Sequence, residues 1–322
     1  MADVVVLGSL NMDLVAEVDR LPQPGETLTG RKFSTVPGGK GANQAVAVAR
    51  LGMATAIVGR VGADAFGQAL RAQLKRDRID ISALQIHDSL PSGTALIAVS
   101  PLNNQIIVTP GANGALDEND LARLIPYFER AKVLMLQFEI PLSVVEKATA
   151  LAYQAGLTVM VDPAPAYGPL AADFCEYISI LTPNQTEAAL LSGQSVTDVA
   201  SAIAAAKMLQ QQGITAVIVK LAEQGAVCVT ATDSFVVPAF AVQAIDTVGA
   251  GDAFNGGLAA ALCQFDRFNR HYERATLEPA IRYAHAVGAL AVTQSGAQSA
   301  MPTADRVDAF LRQHEVTTLG QH

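Results

Sequence analysis

The chain of 322 residues, half of them hydrophobic, is long enough for two ordinary domains or one large α/β domain with a sizeable core. A net charge of −8 with no Lys/Arg cluster excludes nucleic acid as the main partner and points to a small substrate. Three cysteines in apolar contexts lack the spacing of a zinc site or a disulfide framework, and no apolar run nears the ~18–20 residues that cross a bilayer, so a cytoplasmic location is expected.

The first element is the strand Val4-Val5-Val6-Leu7-Gly8, with no basic segment before it. Gly8-Ser9-Leu10-Asn11-Met12-Asp13 follows directly, which puts Asn11 and Asp13 at the carboxyl end of a strand, the edge where open α/β sheets bind ligands. A carboxylate there suits paired contacts with neighbouring sugar hydroxyls, although a solvated turn explains it equally. Residues 14–36 and 93–109 are rich in Thr, Val and Pro/Gly turns with little helical period, and read as a small β lid inserted into the core, or as edge strands. Between them, Pro37-Gly38-Gly39-Lys40-Gly41-Ala42-Asn43-Gln44 leads into a helix ending at Leu51-Gly52. Consecutive glycines fit close backbone approach to a ligand, and the Asn43 amide can both donate to and accept from hydroxyls. Lys40 precedes Gly rather than Ser or Thr, so this is no phosphate P-loop, and a turn with a cap would also account for it.

From residue 133 onward, Val133–Phe138, Leu157–Val161, Ile178–Leu181 and Ala216–Val219 read as strands, with helices near 143–155, 186–192 and 198–212. Continuous apolar strands imply burial on both faces, hence a doubly wound, mostly parallel sheet with helices on either side. Thr182-Pro183-Asn184-Gln185-Thr186-Glu187 follows one strand; Asn184 and Glu187 would share a helix face, where they could hold the hydration shell of Mg²⁺ or simply cap the helix. Lys220-Leu221-Ala222-Glu223-Gln224-Gly225 closes another strand and could pass beneath a nucleotide or form a plain hairpin turn. His285 lies in an apolar helical run, Tyr283 to Val292, where a core or cleft histidine is usual.

Residues 246–252 read Asp-Thr-Val-Gly-Ala-Gly-Asp and open a segment with Phe254, Leu258, Ala261, Leu262 and Phe265 at helical spacing. The N–H groups of Gly249, Ala250 and Gly251 would then stand at a helix N-terminus, which favours anions. A carboxylate at Asp252 competes with that anion. The conflict is resolved if Asp252 is a general base on a hydroxyl while the N–H groups receive a phosphoryl group in transfer, although Asp252 as a helix cap is the simpler account of the heptad alone.

In order and spacing, Gly38–Gln44, Asn184–Glu187 and Asp246–Asp252 resemble the signature segments of the ribokinase-like sugar kinase family, over nearly the whole chain from Val4 to about Leu311. The ribokinase branch of that family fits best, through Gly8–Asp13, Pro24–Thr27, Gln137–Glu139, Pro163–Ala166 and Gly296–Gln298. The resemblance implies a core of residues 1–13, 37–92 and 110–314, a lid that pairs with its twin in a homodimer, and a C-terminal tail over 315–322. It also implies ATP-dependent phosphorylation of D-ribose at the 5-hydroxyl. Asn11, Asp13, Gly38, Gly39, Lys40, Asn43 and Glu139 would bind the pentose. Asn184, Lys220 to Gly225, Gly251, Asp252 and His285 would line the ATP site, with Mg²⁺ near Asn184 and Glu187 and Asp252 as the base.

A monovalent-cation (K⁺) site is implied at Asp246, Val248, Ala291, Gln294, Gly296 and Ala300. Ala300 departs from the serine usual there and loses a side-chain oxygen. Ala222 stands where the nucleotide loop usually has Gly, and Asp266–Arg274 lengthens the loop after the catalytic helix. The rivals are a kinase for another furanose or a nucleoside (2-deoxyribose, fructose, adenosine) and a non-catalytic sugar sensor, which the intact Asp252 and Gly249–Gly251 disfavour. A nicotinamide oxidoreductase fails for want of G-x-G-x-x-G after the first strand.

Overall fold

The computed structural model describes residues 2–264 and 272–319. Its strands are β1 (Val4–Leu7), β2 (Asn11–Glu17), β3 (Lys32–Gly38), β4 (Thr55–Gly62), β5 (Leu84–His87), β6 (Gly93–Val99), β7 (Asn104–Thr109), β8 (Val133–Gln137), β9 (Thr158–Asp162), β10 (Ile180–Leu181), β11 (Ala216–Lys220), β12 (Ala226–Thr230) and β13 (Ser234–Val237). Nine form one sheet in the order β13-β12-β11-β10-β9-β8-β1-β4-β5. It is parallel except for β12 and β13, which return antiparallel on one edge.

Every residue of β1, β8 and β9 is buried, as the unbroken apolar runs require of strands covered on both faces. Alternation splits them between two cores: Val4, Val6 and Met135 pack on one side, Val5, Leu7, Leu134 and Leu136 on the other. The chain runs outward from β1 to β4 and β5, then returns to β8 on the other side of β1, so the strand order reverses between β1 and β8. A crevice opens at the carboxyl ends of strands at such a point.

On one face of the sheet the helices Lys40–Arg50 and Ala250–Gln264 lie side by side. A methyl on Gly256 would collide with the Ala47 Cβ, so this glycine sets how closely the two axes approach. The four-stranded second sheet has the order β3-β2-β6-β7. It is rooted beside the crevice, where Asn11 pairs with Gly38 on one side and Gly93 on the other.

The last helix, Ala304–Leu319, continues through the start of the stretch expected to be a tail; no turn or proline interrupts it at His314. Phe265 and most of the lengthened loop, residues 266–271, lie outside the described residues.

Gly256→Ala should lower stability. Overpacking costs about 1–3 kcal/mol, against about 1 kcal/mol of helix propensity gained. A lower urea midpoint with an unchanged m-value checks it; a midpoint at or above wild type would show that the helices can part freely.

Candidate active site

The crevice is built first by glycines. A Cβ on Gly41 would fall 2.6 Å from the Gly8 carbonyl carbon and the Ser9 nitrogen, so the Lys40–Arg50 helix can begin directly against the loop after β1. Gly39, at φ +88°, turns the chain into that helix. Glu139, two residues beyond β8, faces the helix start: its carboxylate accepts from Ser9 Oγ at 2.6 Å, the Lys40 N–H at 3.2 Å and Asn11 Nδ2 at 3.3 Å. Asn113 fixes the Asn11 amide. Its Nδ2 donates to Asn11 Oδ1 at 2.8 Å and to the Leu10 carbonyl at 3.0 Å, while its Oδ1 accepts from the Leu10 N–H at 3.0 Å.

Asp13 stands beside this group, and a methyl on Gly38 would overlap its carboxylate. Burial, then the charges of Glu139 and Asp252, push the Asp13 carboxyl up to about 7. Asn11, Asp13, Gly38, Gly39, Lys40, Asn43 and Glu139 are therefore brought together, as the motif order implies.

Asp252 lies in the first turn of the Ala250–Gln264 helix and is buried. Its oxygens reach across to the neighbouring helix, accepting from Asn43 Nδ2 at 2.9 Å and Gln44 Nε2 at 3.1 Å, which is a tertiary role rather than a capping one. Burial raises its carboxyl above the usual range, and Asp162 adds to this; Lys40 and the two amides pull the other way. Around Lys40, burial works against the charge, but Asp252, Asp162, Glu139 and Glu187 together hold its ammonium above the ordinary value.

The helix after the heptad starts at Ala250, and the Ala253 N–H bonds the Gly249 carbonyl at 2.8 Å. The amides of Gly251 and Asp252 thus belong to the first turn, which lacks intrahelical acceptors. The Ala250 N–H differs: it donates to the Thr247 carbonyl at 3.2 Å. Gly249, at φ +75°, makes the turn that aims this end of the helix at the crevice.

Four polar residues of the site, Gln44, Gln137, Asn113 and Asp162, were given no role from sequence. Gln44 Nε2 also donates to Asp162 at 3.0 Å, Gln137 Nε2 donates to Gln44 Oε1 at 2.7 Å, and Asn113 orients Asn11 as described. Lys220 Nζ lies 3.0 Å from the other Asp162 oxygen. Gln137, Asp162 and Lys220 are each the last residue of a buried apolar strand, β8, β9 and β11. A polar residue ending an apolar run on the ligand edge was the available signal.

Beyond Gly251 opens a cleft of about 520 Å³. Lys220, Ala222, Glu223, Gly225, Gly251 and His285 line it, whereas Leu221 is buried beneath the loop and Gln224 is exposed. The segment Ala239–Ala244, absent from the sequence reading, forms another wall, with Phe254 and Ala289 deeper in. His285 packs edge-on to Phe254 with ring centroids 5.2 Å apart. Burial lowers its imidazole to about 4, against a hydrogen bond to Val237, so the ring is neutral near pH 7. Ala222 adopts φ +50°, which costs a non-glycine residue roughly 1–2 kcal/mol; the loop keeps the shape a glycine would take freely.

Asn184 and Glu187 form a closed capping box: each side chain accepts from the other's backbone N–H at 2.8 Å, and Asn184 Nδ2 donates to Glu187 Oε1 at 2.7 Å. With these atoms engaged, the pair suits a metal held through water. Asn184 sits beside the Lys220–Gly225 loop through a backbone bridge to Lys220.

Asp246 ties two loops together, accepting from the Val248 N–H at 3.0 Å and the Gly296 N–H at 2.9 Å, while its own N–H bonds the Val292 carbonyl at 3.2 Å. The cation positions that the resemblance implies therefore lie on the two segments that Asp246 joins. Ala300 is buried and adds no side-chain oxygen.

The family profile described as pfkB family carbohydrate kinase matches residues 1–304. The chain is 38% identical over 309 residues to ribokinase from Haemophilus influenzae, covering 96% of this chain and 98% of that one. It is 33% identical over 316 residues to a deoxyribokinase from Salmonella typhi, covering 97% and 100%. A solved structure of Arabidopsis thaliana ribokinase complexed with ribose and ATP superposes with a TM-score of 0.86 at 30% identity, covering 96% and 98%.

The raised Asp13 carboxyl carries a signed consequence. Its folded value exceeds the unfolded one, so its contribution to stability is present at acid pH and is lost as pH rises toward and through about 7. Asp13→Asn should therefore raise the melting temperature of the ligand-free protein more at pH 8 than at pH 5. Equal shifts at both pH values would contradict the assignment.

Proposed function

The chain belongs to the pfkB family of carbohydrate kinases, a phosphotransferase of the ribokinase type, and on that premise we propose that it converts D-ribose and ATP to D-ribose 5-phosphate and ADP. The observation that carries the proposal is the position of Asp252, buried between the cradle of Asn11, Asp13, Asn43 and Glu139 and the cleft past Gly251. The sugar hydroxyls are met by the carboxylates of Asp13 and Glu139 and by the Asn11 and Asn43 amides, whose geometry Asn113 and Asp252 hold in advance. Asp252 accepts the proton of the 5-hydroxyl as that oxygen attacks the γ-phosphorus in line and the bond to ADP breaks. The first-turn amides around Gly249–Gly251 face the charge that develops on the phosphoryl oxygens.

Two ions complete the reading. Asn184 and Glu187 would hold Mg²⁺ through water, and the ion would supply positive charge to the nucleotide phosphates. Asp246, Val248, Ala291, Gln294, Gly296 and Ala300 would hold K⁺, more weakly for want of a side-chain oxygen at Ala300, and its charge would tie the two loops together.

The lid completes the reading of partners. Phe33, Leu96, Ile106 and Ile107 are exposed on a sheet whose last strand, β7, is exposed throughout, a combination that favours pairing with a second copy of the chain. The similarity to a deoxyribokinase makes 2-deoxyribose the second reading of the substrate.

Asp252→Asn should leave ribose and ATP affinity within a few-fold and lower kcat by about 10²–10⁴-fold, the usual worth of a general base. Turnover like wild type would remove the base assignment. In wild type the acid limb of kcat should lie above the ordinary carboxylate range, because Asp252 must lose its proton to act. A panel of pentoses, hexoses and nucleosides assayed with and without K⁺ decides the substrate: ribose turned over best, with K⁺ stimulation, supports the proposal, and preference for 2-deoxyribose replaces it by the second reading. Ile107→Lys should convert a dimer to a monomer in sedimentation; a wild-type monomer refutes the lid interface.

A further inference from the structure

The phosphoryl group in flight carries negative charge on its three outer oxygens, and a cation pointed at it is worth more in a water-poor site than in bulk. Two lysines stand near Asp252. Lys40 is enclosed by the charges of Asp252, Asp162, Glu139 and Glu187. Lys220 lies at the cleft. Of the residues lining the cleft it is the only lysine or arginine, and its Nζ is 3.5 Å from where a Cβ on Gly251 would stand, beside the first-turn amides.

What holds Lys220 there is Asp162, 4% exposed at the end of β9. One Asp162 oxygen takes the ammonium at 3.0 Å; the other takes the Gln44 amide at 3.0 Å, and that same amide nitrogen grips Asp252 at 3.1 Å. Gln137 locks the Gln44 amide from behind through its carbonyl. A carboxylate of this burial costs several kcal/mol unless its oxygens are met, and here both are met by groups that point into the site. We propose that Asp162 is the positioning residue of phosphoryl transfer: it sets the Lys220 ammonium against the transferring group and, through Gln44, the carboxylate of Asp252 against the sugar hydroxyl. Lys220 is then a catalytic residue, touching the phosphoryl oxygens, and Asp162 acts through it and through Gln44. The inference rests on the kinase reading above.

The test is a double-mutant cycle in the full-length protein. Lys220→Met removes the charge at similar length and should lower kcat by about 10²-fold, the scale of one lost electrostatic donor, while KM for ribose stays within threefold. Asp162→Asn keeps the shape and should lower kcat comparably. Because the two act as a unit, Asp162→Asn/Lys220→Met should lose no more than the worse single variant, within threefold. Lys220→Arg should recover at least tenfold over Lys220→Met, which a merely structural contact would not do for kcat alone. Melting temperatures identify any variant that fails to fold; if Asp162→Asn does, the Met and Arg variants at Lys220 carry the test. Turnover of Lys220→Met within twofold of wild type, or losses that multiply in the double variant, overturns the inference and leaves the kinase reading intact. A wild-type protein that phosphorylates no sugar overturns both.

Discussion

The approach of the Lys40–Arg50 helix to the Ala250–Gln264 helix is the constraint on which the rest of the site depends. Gly256 lets the two axes close until Ala47 fills the space a side chain would take. Four residues toward the N-terminus of the second helix, one turn along, stands Asp252, and near the start of the first stand Asn43 and Gln44. The contact that packs the core therefore also delivers two amide donors to a buried carboxylate. Without them Asp252 would be buried and unpaired, a state that favours its neutral form.

A second constraint is charge. Asp13, Glu139, Asp162, Glu187 and Asp252 converge on a small volume that holds Lys40 and Lys220. The charges of Glu139 and Asp252 add to the proton affinity of Asp13, and that of Asp162 adds to the proton affinity of Asp252. The cleft past Gly251 is made of other material: first-turn amides, a neutral histidine, apolar walls, Glu223 and the ammonium of Lys220. The reversal of strand order between β1 and β8 is what allows two such unlike environments to meet across one helix turn.

Departures from the usual pattern fall at the edges of this arrangement. Ala222 holds a backbone shape that glycine would hold without strain, so the loop geometry survives at an energetic cost.

The sequence by itself determined which segments become buried strands, because unbroken runs such as Val133–Gln137 can be satisfied only with helices on both faces. It also determined the glycine turns at Gly39 and Gly249, where only backbone freedom permits the chain's path. The roles of Gln44, Gln137, Asn113 and Asp162 stayed illegible, since each works through partners between 58 and 208 residues away. A heptad read alone cannot show whether Asp252 caps its own helix or faces another one. Only the tertiary structure decided that, because what a buried carboxylate meets is set by the packing of segments far apart in the chain.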